Sequence, residues 1–205
     1  MEYAYKFIEA HEKSLLPDGF EGNVYNLSYK WAAVIPVVDK PMKIMEIGAY
    51  HGANICSLVK TYAKHPKSEI HAIDPWTDYS TYPEYIGEQP SNYSIFLKNI
   101  SLLAPEDANK IYIHRMPSHV IDAHFEDETF DIIYIDGNHE INYVLQDAMI
   151  ALRKLSPGGY LIFDDMQDKN VVRGMHMFLD ACHHLLEPEL QELSCQAYVK
   201  KRTSK

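Results

Sequence analysis

Asp136, Asp164 and Asp165 each stand at the end of a short apolar run, and His139 lies three residues past the first of them. Carboxylates brought to one sheet edge repel one another unless a proton or a cation intervenes. Hard oxygen ligands of this kind select Mg²⁺, Ca²⁺ or Mn²⁺ rather than zinc. A histidine beside them titrates near neutrality and suits a general base acting on a hydroxyl, with Asp136 a second proton acceptor. The same residues also have plain structural uses. The aspartates can cap the helices that follow, and His139 can hydrogen-bond within its own turn. The chain has 11 histidines, so one at this place is not rare. His51 and His114 are weaker candidates for proton transfer, and Asp147 reads as a helix-surface or capping residue.

A second constellation lies upstream, in Glu46-Ile47-Gly48-Ala49-Tyr50-His51-Gly52. It directly follows one apolar run and directly precedes a helical stretch. Gly48 permits a sharp turn and close approach to a ligand, and Gly52 lets a helix start near the strand. The next apolar run ends in Asp74, and an acidic residue there can accept from both hydroxyls of a ribose. A dinucleotide site uses G-x-G-x-x-G and aims backbone amides at a pyrophosphate. Here the spacing is G-x-x-x-G, and the Glu46 carboxylate suits a cationic ligand instead. This disfavours a nicotinamide-dependent oxidoreductase. The plainer alternative is that Glu46 is an exposed strand end and Asp74 a helix cap.

Strand ends must converge for either site to exist. Short β-rich apolar runs at Lys43–Ile47, Glu69–Ile73, Ile111–His114, Phe130–Ile135 and Tyr160–Phe163 alternate with helical stretches near Asn54–Tyr62, Tyr93–Leu103 and Ile141–Leu155. That alternation predicts an α/β fold with a mostly parallel sheet and helices on both faces. A helix near Val171–Cys182 and a strand near Gln196–Lys200 follow, and Leu185–Leu193 holds room for one more strand. The first forty residues read as one or two helices hinged at Pro17-Asp18-Gly19. The stretch Pro75–Asn92 reads as a long aromatic loop, a candidate lid over the site.

The run Met45–Gly52 is similar to the first motif of class I S-adenosylmethionine-dependent methyltransferases, and Ala72–Trp76 to their second. Ile135-Asp136-Gly137-Asn138-His139 and Leu155–Asp165, with its Pro157-Gly158-Gly159 turn, resemble the group of macrocin-type sugar O-methyltransferases and catechol O-methyltransferase-like enzymes. The likeness covers about Met42 to Asp165. It departs at Ile141, where that group usually has an aromatic residue.

The resemblance implies a Rossmann-like, seven-stranded, mostly parallel sheet in a single domain over residues 1–205. Residues 1–40 would be a helical extension, 42–165 the cofactor-binding core and 166–205 a C-terminal helix and strand region. It implies that Glu46 and Gly48 contact the methionine end of S-adenosylmethionine and Asp74 its ribose. Trp76 would pack near the ribose or adenine, and Ser118 would touch the adenine or else cap a helix. A divalent ion, Mg²⁺ first, would sit between Asp136, Asp164 and Asp165 and orient the hydroxyls of a small-molecule acceptor such as a sugar. Two other roles fit the same motifs: a metal-independent methyltransferase using His139 as base, or a catalytically inactive cofactor-binding partner or regulatory module.

A formal net charge of -10 makes nucleic acid and membrane surfaces poor partners. Hydrophobic residues at 46% and charged residues at 23% fit a globular chain. The three cysteines are far apart and form no C-x-x-C pair. Met1–His11 carries no apolar leader and no run spans a bilayer, so the expectation is a soluble, cytoplasmic protein with its oligomeric state left open.

Overall fold

The computed structural model describes residues 11–78 and 86–203. Seven strands form one sheet: β1 (Lys43–Ile47), β2 (Glu69–Ile73), β3 (Ile111–His114), β4 (Phe130–Ile135), β5 (Leu155–Phe163), β6 (Gln191–Leu193) and β7 (Gln196–Lys200). Their order is β3-β2-β1-β4-β5-β7-β6. The first five run parallel, β7 is antiparallel to β5, and β6 is antiparallel to β7. After β1 the α-helices among the described residues are α1 (Ala53–Lys60), α2 (Gln89–Ser101), α3 (Pro105–Ala108), α4 (Ile121–His124), α5 (Ile141–Lys154) and α6 (Lys169–Cys182). This is the Rossmann-like α/β architecture expected from the sequence.

Parallel strands buried on both faces read as continuous apolar runs, and the alternation within each run sorts its side chains between two cores. Ile44, Ile70, Ile132, Tyr134 and Ile162 face one core with Trp31, Ile55, Leu58 and Phe96. Met45, Ile73, Ile133, Leu161 and Phe163 face the other with Val144, Ala148, Met175 and Phe178. The strand order reverses between β1 and β4. A crevice opens outside the carboxyl ends of strands at such a reversal, and ligands bind there in open α/β sheets.

Three expectations shift in detail. β5 begins at Leu155 rather than Tyr160, because Phe130 already pairs with Leu155 and the Pro-Gly-Gly segment forms an irregularity within the strand. The stretch expected as a loop to Asn92 is already helical from Gln89; its residues 79–85, with Tyr79, Tyr82 and Tyr85, lie outside the described residues. The N-terminal region turns at Gly19 and then forms a 3-10 turn, Ser28–Ala33. The composition of Met1–Ala10 likewise concerns residues outside those described. Among the described residues no helix is long and apolar enough to cross a membrane.

Candidate functional site

The loop after β1 is folded by glycine. Gly48 has φ 92°, and a Cβ there would overlap the carbonyl oxygen of Asp136. Its N–H donates to the Ile73 carbonyl at 2.8 Å, and the Asp136 N–H donates to the Ile47 carbonyl at 2.8 Å. The ends of β1, β2 and β4 are therefore laced together at Gly48. Gly52, with φ 82°, starts α1 and leaves room for the Phe96 ring.

Glu46 is not an exposed strand end. Its side chain is buried, and its Oε2 accepts from Asn54 Nδ2 at 3.0 Å. The chain of hydrogen bonds continues through Ser57 (3.2 Å to Asn54 Oδ1), Ser28 (2.6 Å) and Thr61 (2.7 Å). Burial pushes the Glu46 carboxyl well above the ordinary range. Asp74 accepts from the backbone N–H groups of Tyr50 at 3.0 Å and Trp76 at 2.7 Å, so it also braces the β1 loop. Burial nevertheless raises its carboxyl.

Trp76 differs from the expected packing on ribose or adenine. Its ring is 1% exposed, sits against Tyr93 and Phe96, and donates from Nε1 to the Tyr50 carbonyl at 2.9 Å. It supports the loop between β1 and α1. Ser118 opens a 3-10 turn, Ser118–Val120, after β3.

At the neighbouring strand ends one ligand atom each from Asp136, His139 and Asp165 falls within 4.8 Å of the others. His139 Nε2 stands 3.0 Å from Asp165 Oδ2, and its Nδ1 stands 3.9 Å from Asp168. The hydrogen bond to Asp165 raises the His139 pKa above its usual 6.5 and lowers that of Asp165. Asp165 has φ 54°, a sparsely populated conformation that aims the carboxylate at the histidine. Gln167 fixes its other oxygen at 2.6 Å. Burial, then Asp164 and Asp165, push the Asp136 carboxyl well up.

Of the expected trio, Asp136 and Asp165 gather with His139, and Asp164 is near enough to Asp136 to raise its carboxyl but lies outside that group. Asp164 is buried, and both of its oxygens are engaged. Asn26 Nδ2 donates to them at 2.9 and 3.0 Å, and the Tyr134 hydroxyl donates at 2.6 Å. Asn26, with φ 47°, also accepts from Cys195 Sγ at 3.0 Å and from Lys30 at 3.3 Å. Sequence reasoning missed Asn26, Asn54 and Tyr134. No motif marks the first two, and Tyr134 is hidden in an apolar strand.

A family model described as a methyltransferase domain matches residues 45–166, more than half of the chain. The chain belongs to this methyltransferase family. The matched span of the methyltransferase domain runs from β1 to the residue after Asp165, so it encloses both constellations. Solved structures repeat the fold. The O-methyltransferase TomG of tomaymycin synthesis from Streptomyces achromogenes, in complex with SAM, is 15% identical with a TM-score of 0.61, covering 85% of this chain and 79% of that one. Cofactor-bound Rv0187 from MTB is 14% identical with a TM-score of 0.61, covering 98% and 90%. A protein from Corynebacterium glutamicum is 11% identical with a TM-score of 0.62, covering 100% and 97%. An uncharacterized protein of Acanthamoeba polyphaga mimivirus is 42% identical over 38 residues, which span 18% of this chain and 17% of that relative.

Proposed function

We propose that this methyltransferase domain uses S-adenosylmethionine to methylate an oxygen of a hydroxylated small molecule such as a sugar. The observation that carries the reading is the contact between Gly48 and the Asp136 carbonyl, which sets the cofactor loop against the Asp136–His139–Asp165 cluster. Burial raises the Glu46 and Asp74 carboxyls, and a sulfonium and an ammonium bound beside them would draw them into their ionised forms. His139 takes the proton of the acceptor hydroxyl at Nδ1, and Asp165, which faces Nε2, stabilises the imidazolium that forms. The oxygen lone pair forms the new bond to the methyl carbon. The carbon–sulfur bond breaks, its electrons stay on sulfur, and S-adenosylhomocysteine leaves. Transfer of labelled methyl from S-adenosylmethionine into a panel of sugars, catechols and amines tests this. Label in hydroxylated acceptors supports it, and label only in amines refutes oxygen as the target.

Asp164 already accepts from Asn26 and Tyr134, so a divalent cation between Asp136, Asp164 and Asp165 would have to share or displace those donors. A second reading has its own observation, the convergence of Asp136, His139 and Asp165. Those three residues would hold a divalent ion, which would neutralise an acceptor alkoxide. His139 would then be a ligand and not a base. Activity after exhaustive chelation separates the two: retained turnover supports the base, and loss restored by Mg²⁺ or Mn²⁺ supports the cation.

Two expected outcomes follow at this point. Asp74→Ala should weaken S-adenosylhomocysteine binding by roughly 10- to 100-fold, the worth of charge-assisted hydrogen bonds. Unchanged affinity in the folded variant would remove Asp74 from the site. The pH profile gives the second. A base must be neutral, and the folded His139 pKa is raised. The acidic limb of the rate should therefore rise with a midpoint above 6.5, and Asp165→Asn should move that midpoint down. The stability His139 contributes is present below its unfolded pKa and lost as pH rises through the raised one. That of Asp165 is present above its unfolded pKa and lost as pH falls through the lowered one. A limb that ignores Asp165→Asn would break the coupling.

A further inference from the structure

We propose that the neutral imidazole of His51 latches residues 20–27 across the mouth of the crevice, and that protonation of His51 releases them. The latch is a property of the fold and does not depend on which atom the methyl group reaches.

Residues 20–27 form a strap with two polar anchors. At one end the Glu21 N–H donates to Asn99 Oδ1 at 2.9 Å, and Asn99 Nδ2 donates to the carbonyls of Glu21 and His51, each at 2.8 Å. At the other end Asn26 donates to Asp164, and its carbonyl accepts from Gln196 Nε2 at 3.4 Å. His51 follows β1, Asp164 follows β5, and β4 lies between those two strands. The strap therefore crosses the carboxyl edge over β4, where Asp136 stands. Its middle is thinly held. Glu21, Gly22, Asn23 and Tyr25 are exposed, Tyr25 at 73%. Segments with few buried contacts open locally at small cost.

His51 is the contact that holds this middle. The Asn23 N–H donates to its Nδ1 at 3.3 Å, so that nitrogen carries the lone pair. The ring proton then sits on Nε2, which donates to Asn92 Oδ1 at 3.1 Å. The strap lies directly on the ring, since a Cβ on Gly22 would be 2.3 Å from Nδ1. A second ring proton would face the Asn23 N–H, donor against donor, with no room for a water to mediate. Tyr50 stacks on the ring with 3.7 Å between centroids, and Glu21 on the strap is paired with Lys98. Burial lowers the imidazole below its usual 6.5, against the Asn92 hydrogen bond and the Glu88 charge, which favour the protonated ring. The latched form thus binds the second proton more weakly than the open one. Latching is favoured as pH rises and is lost as pH falls through the lowered value.

The test is hydrogen exchange of the full chain from about pH 5 to about pH 8, corrected for intrinsic exchange, beside ¹⁵N NMR titration of the His51 ring. Protection of residues 20–27 should fall about tenfold, the worth of one hydrogen bond turned into a donor–donor contact, while β4 stays protected. The midpoint should lie below 6.5, and the ring should titrate with the same midpoint. His51→Asn, whose Oδ1 accepts from Asn23 and takes no proton, should keep the strap protected throughout. A strap that stays protected after the ring has titrated overturns the latch. So does an acid release that persists in folded His51→Asn. If that variant does not fold, the two midpoints in wild type decide alone: agreement supports the latch and disagreement overturns it.

Discussion

Replacing His139 with alanine is expected to lower the methyl-transfer rate by ~10²–10⁴-fold, the span of a lost general base, and to leave S-adenosylhomocysteine affinity intact. The expectation comes from geometry. The imidazole is oriented by Asp165 at 3.0 Å from a strained backbone position, and Asp168 stands behind its other nitrogen. The ring is fixed in orientation and made more basic by Asp165. None of the residues assigned to the cofactor donates to it or accepts from it in the described contacts. A single-turnover assay with each acceptor that takes label reads the rate, and calorimetry reads the affinity. A folded variant with undiminished rate would remove His139 from the chemistry.

Replacing Gly48 with alanine should have the larger structural effect. The residue sits at φ 92°, and a Cβ would meet backbone, which cannot turn away as a side chain can. The left-handed strain and the clash with Asp136 together should cost roughly 3 kcal/mol or more. For a chain of this size that lowers the melting temperature by roughly 10 °C. Because Gly48 laces β1 to β2 and β4, the displaced loop also carries Tyr50 away from Asp74 and moves the Asp136 backbone. Cofactor binding should fall below detection even in the fraction that folds. Thermal unfolding and calorimetry check both halves. A variant with wild-type melting and affinity would show that the turn is not fixed in this form.

The strands of the core were legible because burial on both faces leaves a continuous apolar run, as in Phe130–Ile135. The glycine loop was legible because φ near 90° leaves few residue types to choose from. The C-terminal hairpin was less so, since Gln191–Leu193 is a short, exposed edge with no apolar signature. The aspartates of β4 and β5 were readable as strand ends, but which of them face one another was not. That depends on Asn26, 138 residues from Asp164 in the chain, and on the backbone at Asp165. Trp76 shows the same limit: an aromatic next to a strand-end carboxylate has the same sequence signal whether it meets a ligand or the core. Asp147 is different, because its spacing from Val144 and Ala151 places it on the buried stripe of α5. Asp147 is buried there, and the surface reading passed over it.

The central claim is that the crevice beyond β1 and β4 takes an adenosyl cofactor with a cationic methionine end and not a dinucleotide. The most direct measurement is calorimetric titration of the full chain with S-adenosylmethionine, S-adenosylhomocysteine and NADH. The account predicts saturable one-to-one binding of the two adenosyl compounds and no heat from NADH. Binding of NADH, with S-adenosylmethionine and S-adenosylhomocysteine silent, would contradict it.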